Sequence, residues 1–291
     1  MRFKEINTFM AVGAHCDDVD LRCGGTFSRL AREGKSGCYV VAVENAYTGP
    51  HYHITSSREA LAVRRAESSR ASAILGADRL EWLEFKSFYF STPAPRSCIC
   101  PSFDSMEAFQ AEMRDVIFTG LPPVANADRF PACCRRLNQL IKDCAPQVVF
   151  THSPDDRHPD HYALSRFVEF IVGEQNKQGA NIDIYFWEPG SGGPIVEYAP
   201  DTFVELSEED INRKQNAINC YLSQLQDGIV NTFAADRAGA YGGLVNLKYA
   251  EAFRKGRFNS GNPWKGMPNF LLSLGPGFGR QEIYPLPACS T

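Results

Sequence analysis

The sequence has no run of apolar residues as long as the roughly 20 that a membrane-spanning helix needs. Residues 1–12 contain no apolar core followed by small residues, as a secretory signal would. Positive charge is not in excess either, because 30 Lys and Arg stand against 34 Asp and Glu, for a formal net charge of −4. Such a chain is a poor partner for nucleic acid or an anionic membrane. We therefore expect a cytoplasmic protein with neither kind of partner.

The ten cysteines lack the C-x₂-C spacing of a zinc knuckle. In a chain of 291 residues without a recognisable signal, free thiols are expected rather than a disulfide framework. The glycines at 24–25 and at 190, 192 and 193 lack the G-x-G-x-x-G order of a dinucleotide site. The composition, 44% hydrophobic and 22% charged, is that of an ordinary globular protein.

Apolar runs and helical stretches alternate along the chain, which is typical of a parallel α/β fold. A strand from Asn7 to Ala14, a helix opened by Gly24-Gly25-Thr26 and a strand from Cys38 to Val43 have the spacing of a βαβ unit. Further predicted elements are the helices Arg58 to Gly76, Arg135 to Asp143, Tyr162 to Gln175 and, capped by Ser207, Ile211 to Gln224, and the strands Leu80 to Phe85, Gln147 to Thr151 and Ile182 to Trp187. We expect a single α/β domain over residues 1–291, with a Rossmann-like, mainly parallel sheet flanked by helices.

The segment 88–131 interrupts this alternation. It contains six prolines and one predicted helix, at about residues 105–118. We interpret it as an insertion over the sheet. Insertions of this size often form lids or substrate walls, and an inert flap is the alternative.

Two short polar clusters stand at the ends of predicted strands. One is residues 15–18, His-Cys-Asp-Asp, and the other is residues 152–161, which contain three histidines and three aspartates. Together they hold four of the six histidines of the chain. Because the carboxyl ends of parallel strands meet at one edge of a sheet, where ligands bind, we expect the two clusters to lie close together.

Two imidazoles and one carboxylate can hold a divalent metal and leave positions open for water and substrate, as in catalytic zinc sites; Fe(II) accepts the same set. A second carboxylate beside the metal can take a proton from bound water. An extra imidazole can stabilise an oxyanion or protonate a leaving amine. The alternatives are plainer: an Asp-Asp turn often caps the next helix, and an H-x-x-H sequence in a loop is often solvated.

At these residues the sequence resembles the PIG-L/LmbE-like zinc-dependent deacetylases, the N-acetylglucosaminyl deacetylase superfamily. The family's AHPDD motif stands at residues 14–18 and a GG-T sequence follows at 24–26, whereas the HPDH motif is intact at 158–161 after an acidic residue at 156. Further matches are the R-x-x-E sequence at residues 64–67 and the K-x-x-A sequence at residues 214–217, each within a predicted helix, and the segment 250–254. The similarity runs from about residue 8 to residue 255.

The resemblance implies a zinc site whose ligands are His15, Asp18 and His161. It implies Asp17 as the general base and His158 as the group that faces the oxyanion. These roles describe the hydrolysis of an amide at a metal-bound water.

The resemblance also implies that Arg64 contacts sugar hydroxyls; its alternative is a salt bridge with Glu67 or a neighbour. Three departures from the family pattern concern the substrate more than the metal, and one of them is that the segment 88–131 is longer than usual. Cys16 replaces the motif proline, which removes a backbone restraint but no ligand. The aspartate of a PDG-like turn after the third strand is absent, because residues 85–89 read Phe-Lys-Ser-Phe-Tyr.

We expect a zinc-dependent N-deacetylase, a hydrolase of a linear amide C–N bond, which removes the N-acetyl group from an N-acetylglucosamine-type amino sugar or glycoconjugate. Three alternatives stay open: an amidase acting on a related thiol or antibiotic conjugate, a metal-binding protein without catalysis, and an Fe(II) oxygenase. The expected partner is a small-molecule amino-sugar substrate. The sequence leaves a homo-oligomer open.

Overall fold

A computed structural model describes residues 5–44, 57–86, 130–156, 159–190, 198–224 and 233–256. The strands in these residues are β1 (Thr8–Gly13), β2 (Ser36–Glu44), β3 (Arg79–Lys86), β4 (Val148–Thr151), β5 (Asp183–Trp187), β6 (Thr202–Glu205) and β7 (Ala250–Lys255). They form one sheet in the order β3-β2-β1-β4-β5-β7-β6. Strands β1 to β5 run parallel, whereas β7 pairs antiparallel with both β5 and β6.

The helices are α1 (Asp18–Arg32), α2 (Ser57–Leu75), α3 (Phe130–Cys144), α4 (Pro159–Lys177), α5 (Glu208–Ile218) and α6 (Phe233–Leu244). Helices α1, α2 and α4 each connect two neighbouring parallel strands. The result is a mixed, mostly parallel sheet flanked by helices, which confirms the predicted fold class.

Side chains on β1 alternate between two cores, because successive residues of a strand point to opposite faces of the sheet. Phe9 and Ala11 pack with α1, α2 and α5, on what we call the α1 face. Met10 and Val12 pack with α3 and α4, on what we call the α3 face. The neighbouring strands β1 and β4 therefore send their following helices to opposite faces. Ligands bind in open α/β sheets at such a switch point.

The predicted strands β1 to β5 agree with the structure to within two residues at each end. Ser207 caps α5 as expected, in a capping box with Asp210. That helix ends at Ile218 rather than at Gln224, and α3 is longer than its predicted span. Strands β6 and β7 and helix α6 were not predicted as elements.

The prediction that Gly24-Gly25-Thr26 opens a helix was wrong. Helix α1 begins at Asp18, the last residue of the first motif, and both glycines lie in its interior. The reason is close packing: a Cβ atom at Gly25 would lie 2.5 Å from Leu206 Cδ1 and 3.0 Å from Glu251 Oε1. Position 25 therefore needs a glycine because Leu206 and Glu251 pack directly against α1 there, and not because a helix begins at this point.

The helix predicted at residues 105–118 lies outside the described residues, as does the segment 88–131 except for its last two residues, which begin α3. In the described part of the chain, no helix combines the length and the apolar character that crossing a membrane requires.

Candidate metal centre

The two predicted clusters meet at the carboxyl edge of the sheet. The first occupies the turn between β1 and α1, and the second occupies the connection between β4 and α4. Strands β1 and β4 pair in parallel, with Val12 opposite Thr151, so both connections leave the sheet side by side. The turn after β1 is tight, because a Cβ atom at Gly13 would lie 3.1 Å from the Asp18 Cβ atom.

His15, Asp18 and His161 form a compact group. His15 Nδ1 lies 3.2 Å from His161 Nε2. Asp18 Oδ2 lies 3.4 Å from His15 Nδ1, and Asp18 Oδ1 lies 3.4 Å from His161 Nε2. Each of the three residues is only 7% exposed. One donor atom from each lies within 4.8 Å of the other two, so the three side chains can hold one metal ion.

The second ring nitrogen of each of these histidines contacts a carboxylate. His15 Nε2 lies 2.9 Å from Asp160 Oδ2, and His161 Nδ1 lies 2.9 Å from Asp156 Oδ2. Asp156 Oδ2 also accepts the Gly190 backbone N–H at 2.6 Å. Carboxylates in this position orient metal-binding histidines and increase their basicity. The donor set and its surroundings therefore fit a divalent metal such as zinc. We had assigned no role to Asp160, although its place within the second motif was a usable signal.

The electrostatics of the group favour a cation. Burial alone would lower the pKa of His15, but the Asp18 and Asp160 carboxylates raise it to about 10. Burial alone would raise the pKa of Asp18, but the imidazoles of His161, His152 and His15 hold it well below its usual range. Asp18 is therefore ionised, and a metal ion competes with a proton for His15.

His152 is a further imidazole at this site. Its ring stacks on His161, with centroids 3.9 Å apart, and Nε2 lies 3.2 Å from Asp18 Oδ2. The Ala14 backbone N–H points at Nε2 and the Trp187 indole N–H at Nδ1, at 3.0 and 3.2 Å. Burial and the neighbouring His161 lower the pKa of His152 to about 4, so the ring is neutral near pH 7.

A second group of three, His152, Asp156 and His161, is also close enough to hold a metal. However, N–H groups face both His152 nitrogens, and Asp156 already contacts His161 Nδ1. The first group is therefore the better candidate.

Asp17 stands at the N-cap position of α1, but its side chain makes no capping hydrogen bond. Instead, Oδ1 lies 3.2 Å from Nη2 of Arg64, and the Asp17 side chain is 20% exposed. The plainer alternative for the Asp-Asp turn, a helix cap, is thus not what this side chain does. Asp17 offers a solvent-accessible carboxylate directly beside the buried group.

Arg64, on α2, is 1% exposed. Its ion pair is with Asp17, because Glu67 instead accepts hydrogen bonds from the backbone N–H and the hydroxyl of Ser223, at 2.8 and 2.6 Å. Within the described residues, Arg64 Nε and Nη1 have no hydrogen-bond partner. His158, for which we expected an oxyanion contact, lies outside the described residues.

A family model described as PIG-L: GlcNAc-PI de-N-acetylase matches residues 10–172. The chain belongs to the PIG-L family. The matched stretch is more than half of the chain and contains both motifs, which confirms the resemblance read from the sequence.

Among curated proteins, the chain is 28% identical over 155 residues to YaiS, an uncharacterized deacetylase of Escherichia coli (strain K12). That match covers 53% of this chain and 62% of YaiS, which is less than two thirds of the relative.

Solved structures share the fold of this PIG-L family member. The N,N'-diacetylchitobiose deacetylase from Pyrococcus horikoshii has a TM-score of 0.64 at 18% identity over 89% of each chain. GalB, the 4-carboxy-2-hydroxymuconate hydratase of Pseudomonas putida KT2440, has a TM-score of 0.60 at 18% identity, and the match covers 87% of this chain and 98% of GalB. The zinc-inhibited form of teicoplanin deacetylase Orf2 has a TM-score of 0.57 at 17% identity, and the match covers 85% of this chain and 97% of Orf2. At these identities the likeness shows the fold alone, which hosts more than one reaction.

Proposed function

We propose that this chain is a zinc-dependent N-deacetylase that hydrolyses the acetamide of an amino sugar or its glycoconjugate. The observation that carries the proposal is the position of Asp17. This carboxylate is accessible to solvent and lies in sequence between His15 and Asp18, two members of the buried group that can hold a metal. A metal-binding protein without catalysis has no need of such a second carboxylate.

His15, Asp18 and His161 are the proposed zinc ligands, with Fe(II) as the alternative metal. Zinc, when bound, supplies a Lewis acid for the acyl carbonyl and lowers the pKa of a bound water to about 7. Asp156 and Asp160 hold the two imidazoles in orientation through their second nitrogens.

Asp17 is the proposed general base, which takes a proton from the attacking water at a carboxylate oxygen. The contact from Arg64 Nη2 fixes the orientation of that carboxylate. His158 is the proposed partner of the developing oxyanion, and either Asp17 or His158 returns a proton to the leaving amine. The products are acetate and the free amine.

The amino-sugar class is supported by the family description and by the diacetylchitobiose deacetylase among the structures that share the fold. Arg64 is the proposed contact for sugar hydroxyls, a role that the resemblance to the family implies. An antibiotic conjugate is the second candidate substrate, supported by the likeness to teicoplanin deacetylase Orf2.

The test is acetate release from N-acetylglucosamine, N,N'-diacetylchitobiose and N-acetyl amino-sugar glycosides, with a chelator as control. Zinc is kept stoichiometric, because a zinc-inhibited form of Orf2 is known. Asp17→Asn should retain zinc and lose about 10²–10⁴-fold in turnover. The matched control is Asp155→Asn, which removes an exposed carboxylate that pairs with Arg254 on the same sheet edge.

Wild-type turnover in Asp17→Asn would refute the base assignment. Zinc binding without acetate release from any of these compounds would refute the amino-sugar substrate, and would favour an antibiotic or thiol conjugate or a protein without catalysis. A cytoplasmic location stays a prediction, which cell fractionation checks.

A further inference from the structure

The turn between β1 and α1 is held from behind by two tyrosine hydroxyls. The backbone carbonyl of Cys16, the central residue of the turn, accepts a hydrogen bond from Tyr39 at 2.8 Å and another from Tyr221. Tyr39 lies on β2, and Tyr221 lies three residues after the end of α5. Two distant parts of the chain thus meet at the peptide group between Cys16 and Asp17.

Both hydroxyls also contact one buried carboxyl group. Asp20 Oδ2 lies 2.5 Å from the Tyr39 hydroxyl and 2.8 Å from the Tyr221 hydroxyl. Asp20 and Tyr39 are fully buried, and Tyr221 is 1% exposed. Asp20 Oδ1 has no partner among the described residues. Two donors therefore serve two acceptors, the Cys16 carbonyl and the Asp20 carboxyl group.

We propose that Tyr39 and Tyr221 are positioning residues that fix the turn carrying the metal ligands and the general base. The proposal rests on the proposed function only for the roles of those turn residues. Cys16 has no proline ring to restrain its backbone, so the turn depends on contacts of this kind. The hydroxyls hold the carbonyl of Cys16, and the neighbours of Cys16 in the sequence are His15 and Asp17.

Tyr221 connects this contact to the general base by a second route. The guanidinium carbon of Arg64 lies 5.7 Å from the centroid of the Tyr221 ring, and Arg64 Nη2 contacts Asp17. One aromatic side chain therefore touches both the turn backbone and the side chain that orients Asp17. Phenylalanine at position 221 keeps the ring beside Arg64 and removes only the hydroxyl.

The hydrogen count predicts how the two tyrosines act together. Each hydroxyl has one proton, so the loss of either leaves two acceptors for one donor. A carboxyl group with an oxygen 2.5 and 2.8 Å from the two hydroxyls is a stronger acceptor than a backbone carbonyl, so Asp20 retains the remaining proton. Either single substitution then releases the Cys16 carbonyl, and the second substitution releases nothing further from the turn.

The experiment compares Tyr39→Phe, Tyr221→Phe and the double variant by titration with cobalt(II), followed by its visible absorption, at one fixed pH. Each single variant should bind cobalt about tenfold more weakly, and the double variant no more weakly than that. Turnover should fall with KM unchanged where a substrate is found. The matched control is Tyr198→Phe, whose hydroxyl bonds the carbonyls of Phe186 and Ala252 instead, and it should keep wild-type cobalt affinity.

Urea unfolding confirms that each variant is folded before its metal affinity is compared. Folded single variants with wild-type cobalt affinity would overturn the proposal. So would a loss in the double variant equal to the product of the two single losses, or an equal loss in Tyr198→Phe. The cobalt measurement does not depend on acetate release, so failure of the proposed function leaves this test intact.

Discussion

The two faces of the sheet bury different chemistry. Beneath the helices of the α1 face lie charged side chains: Asp20, Arg64, Glu67, Lys214 and Glu251. On the α3 face, the buried polar side chains described in α3 and in α4 beyond its first turn are neutral, namely Asn138, Ser165 and Gln175. Hydrophobic burial is non-directional, whereas hydrogen bonds fix distances and angles. The α1 face, which buries the charged groups, supports the turn that carries the proposed base. The α3 face contributes mainly hydrophobic burial to stability.

A buried ion pair on the α1 face also binds the backbone of α1. Lys214 Nζ lies 2.6 Å from Glu251 Oε1, and the two carboxylate oxygens accept the backbone N–H groups of Gly25 and Thr26 at 2.9 and 2.7 Å. Three elements, α5, β7 and α1, are therefore joined by one carboxylate. The family-like residues at positions 25, 214 and 251 have a structural role here rather than a catalytic one.

The largest expected effect comes from removing the cation of this pair. Lys214→Met leaves Glu251 buried without its counter-charge, which should lower the free energy of unfolding by about 3–5 kcal/mol. Urea denaturation of the metal-free protein measures it. Lys248→Met is the matched control, because Lys248 pairs with Glu208 on the exposed surface. If Lys214→Met lowers the free energy of unfolding no more than Lys248→Met does, the buried ion pair does not distinguish the α1 face from the α3 face.

The second prediction concerns the carboxylates behind the proposed ligands. Asp156→Asn and Asp160→Asn each keep the shape but remove the charge that orients His161 or His15, and should weaken zinc binding by about 10–100-fold. Competition with a chromogenic chelator measures the affinity. Asp155→Asn, in the same connection but paired with Arg254, should leave it unchanged. Equal zinc affinity in all three variants would contradict the orienting role.

A smaller effect is expected on the α3 face. Ile171, on α4, is fully buried in the apolar core, and Ile171→Val removes one methylene there. The free energy of unfolding should fall by about 1 kcal/mol, with zinc affinity unchanged. Urea denaturation and the chelator competition check the two parts. A change in zinc affinity would mean that this face, too, sets the geometry of the metal centre.

The contrast between the faces also explains what the sequence could predict. Strands β1, β2, β4 and β5 are apolar runs buried on both sides, so their pattern is plain, whereas β3, at the end of the strand order, has charged residues between its apolar ones. The rule that the carboxyl ends of parallel strands meet at one edge brought the two motifs together. Strand β7 was not predicted, because a glutamate at position 251 does not indicate a buried strand in the sequence. The burial of Glu251 is explained only by its contacts with Lys214 and the α1 backbone. The contacts of Cys16 with Tyr39 and Tyr221 span 23 and 205 residues, and no local pattern announces them.

The last prediction concerns an ionisable pair on the α3 face, remote from the metal centre. Cys144, at the end of α3, accepts a hydrogen bond from Cys38 and contacts Arg79 Nη1 at 3.5 Å. The Cys38 contact and the nearby Arg79 lower the pKa of Cys144 from 9 to about 7, whereas the contact with Cys144 raises that of Cys38. The folded state thus favours the Cys144 thiolate, and this contribution to stability is present above the unfolded pKa of 9 and is lost as the pH falls through 7.

Alkylation of Cys144 by iodoacetamide should therefore be half-maximal near pH 7, and Arg79→Gln should move that midpoint upward. Peptide mass spectrometry follows Cys144 separately from Cys220, whose pKa burial raises and whose midpoint should lie above that of Cys144. Zinc affinity should be the same before and after alkylation, because the pair lies near the amino ends of the strands. A midpoint near pH 9 in the folded protein would show that Arg79 and Cys38 do not stabilise the Cys144 thiolate. Cys144 would then be uncharged near pH 7, like the buried polar side chains of α3, and of α4 beyond its first turn, on the same face.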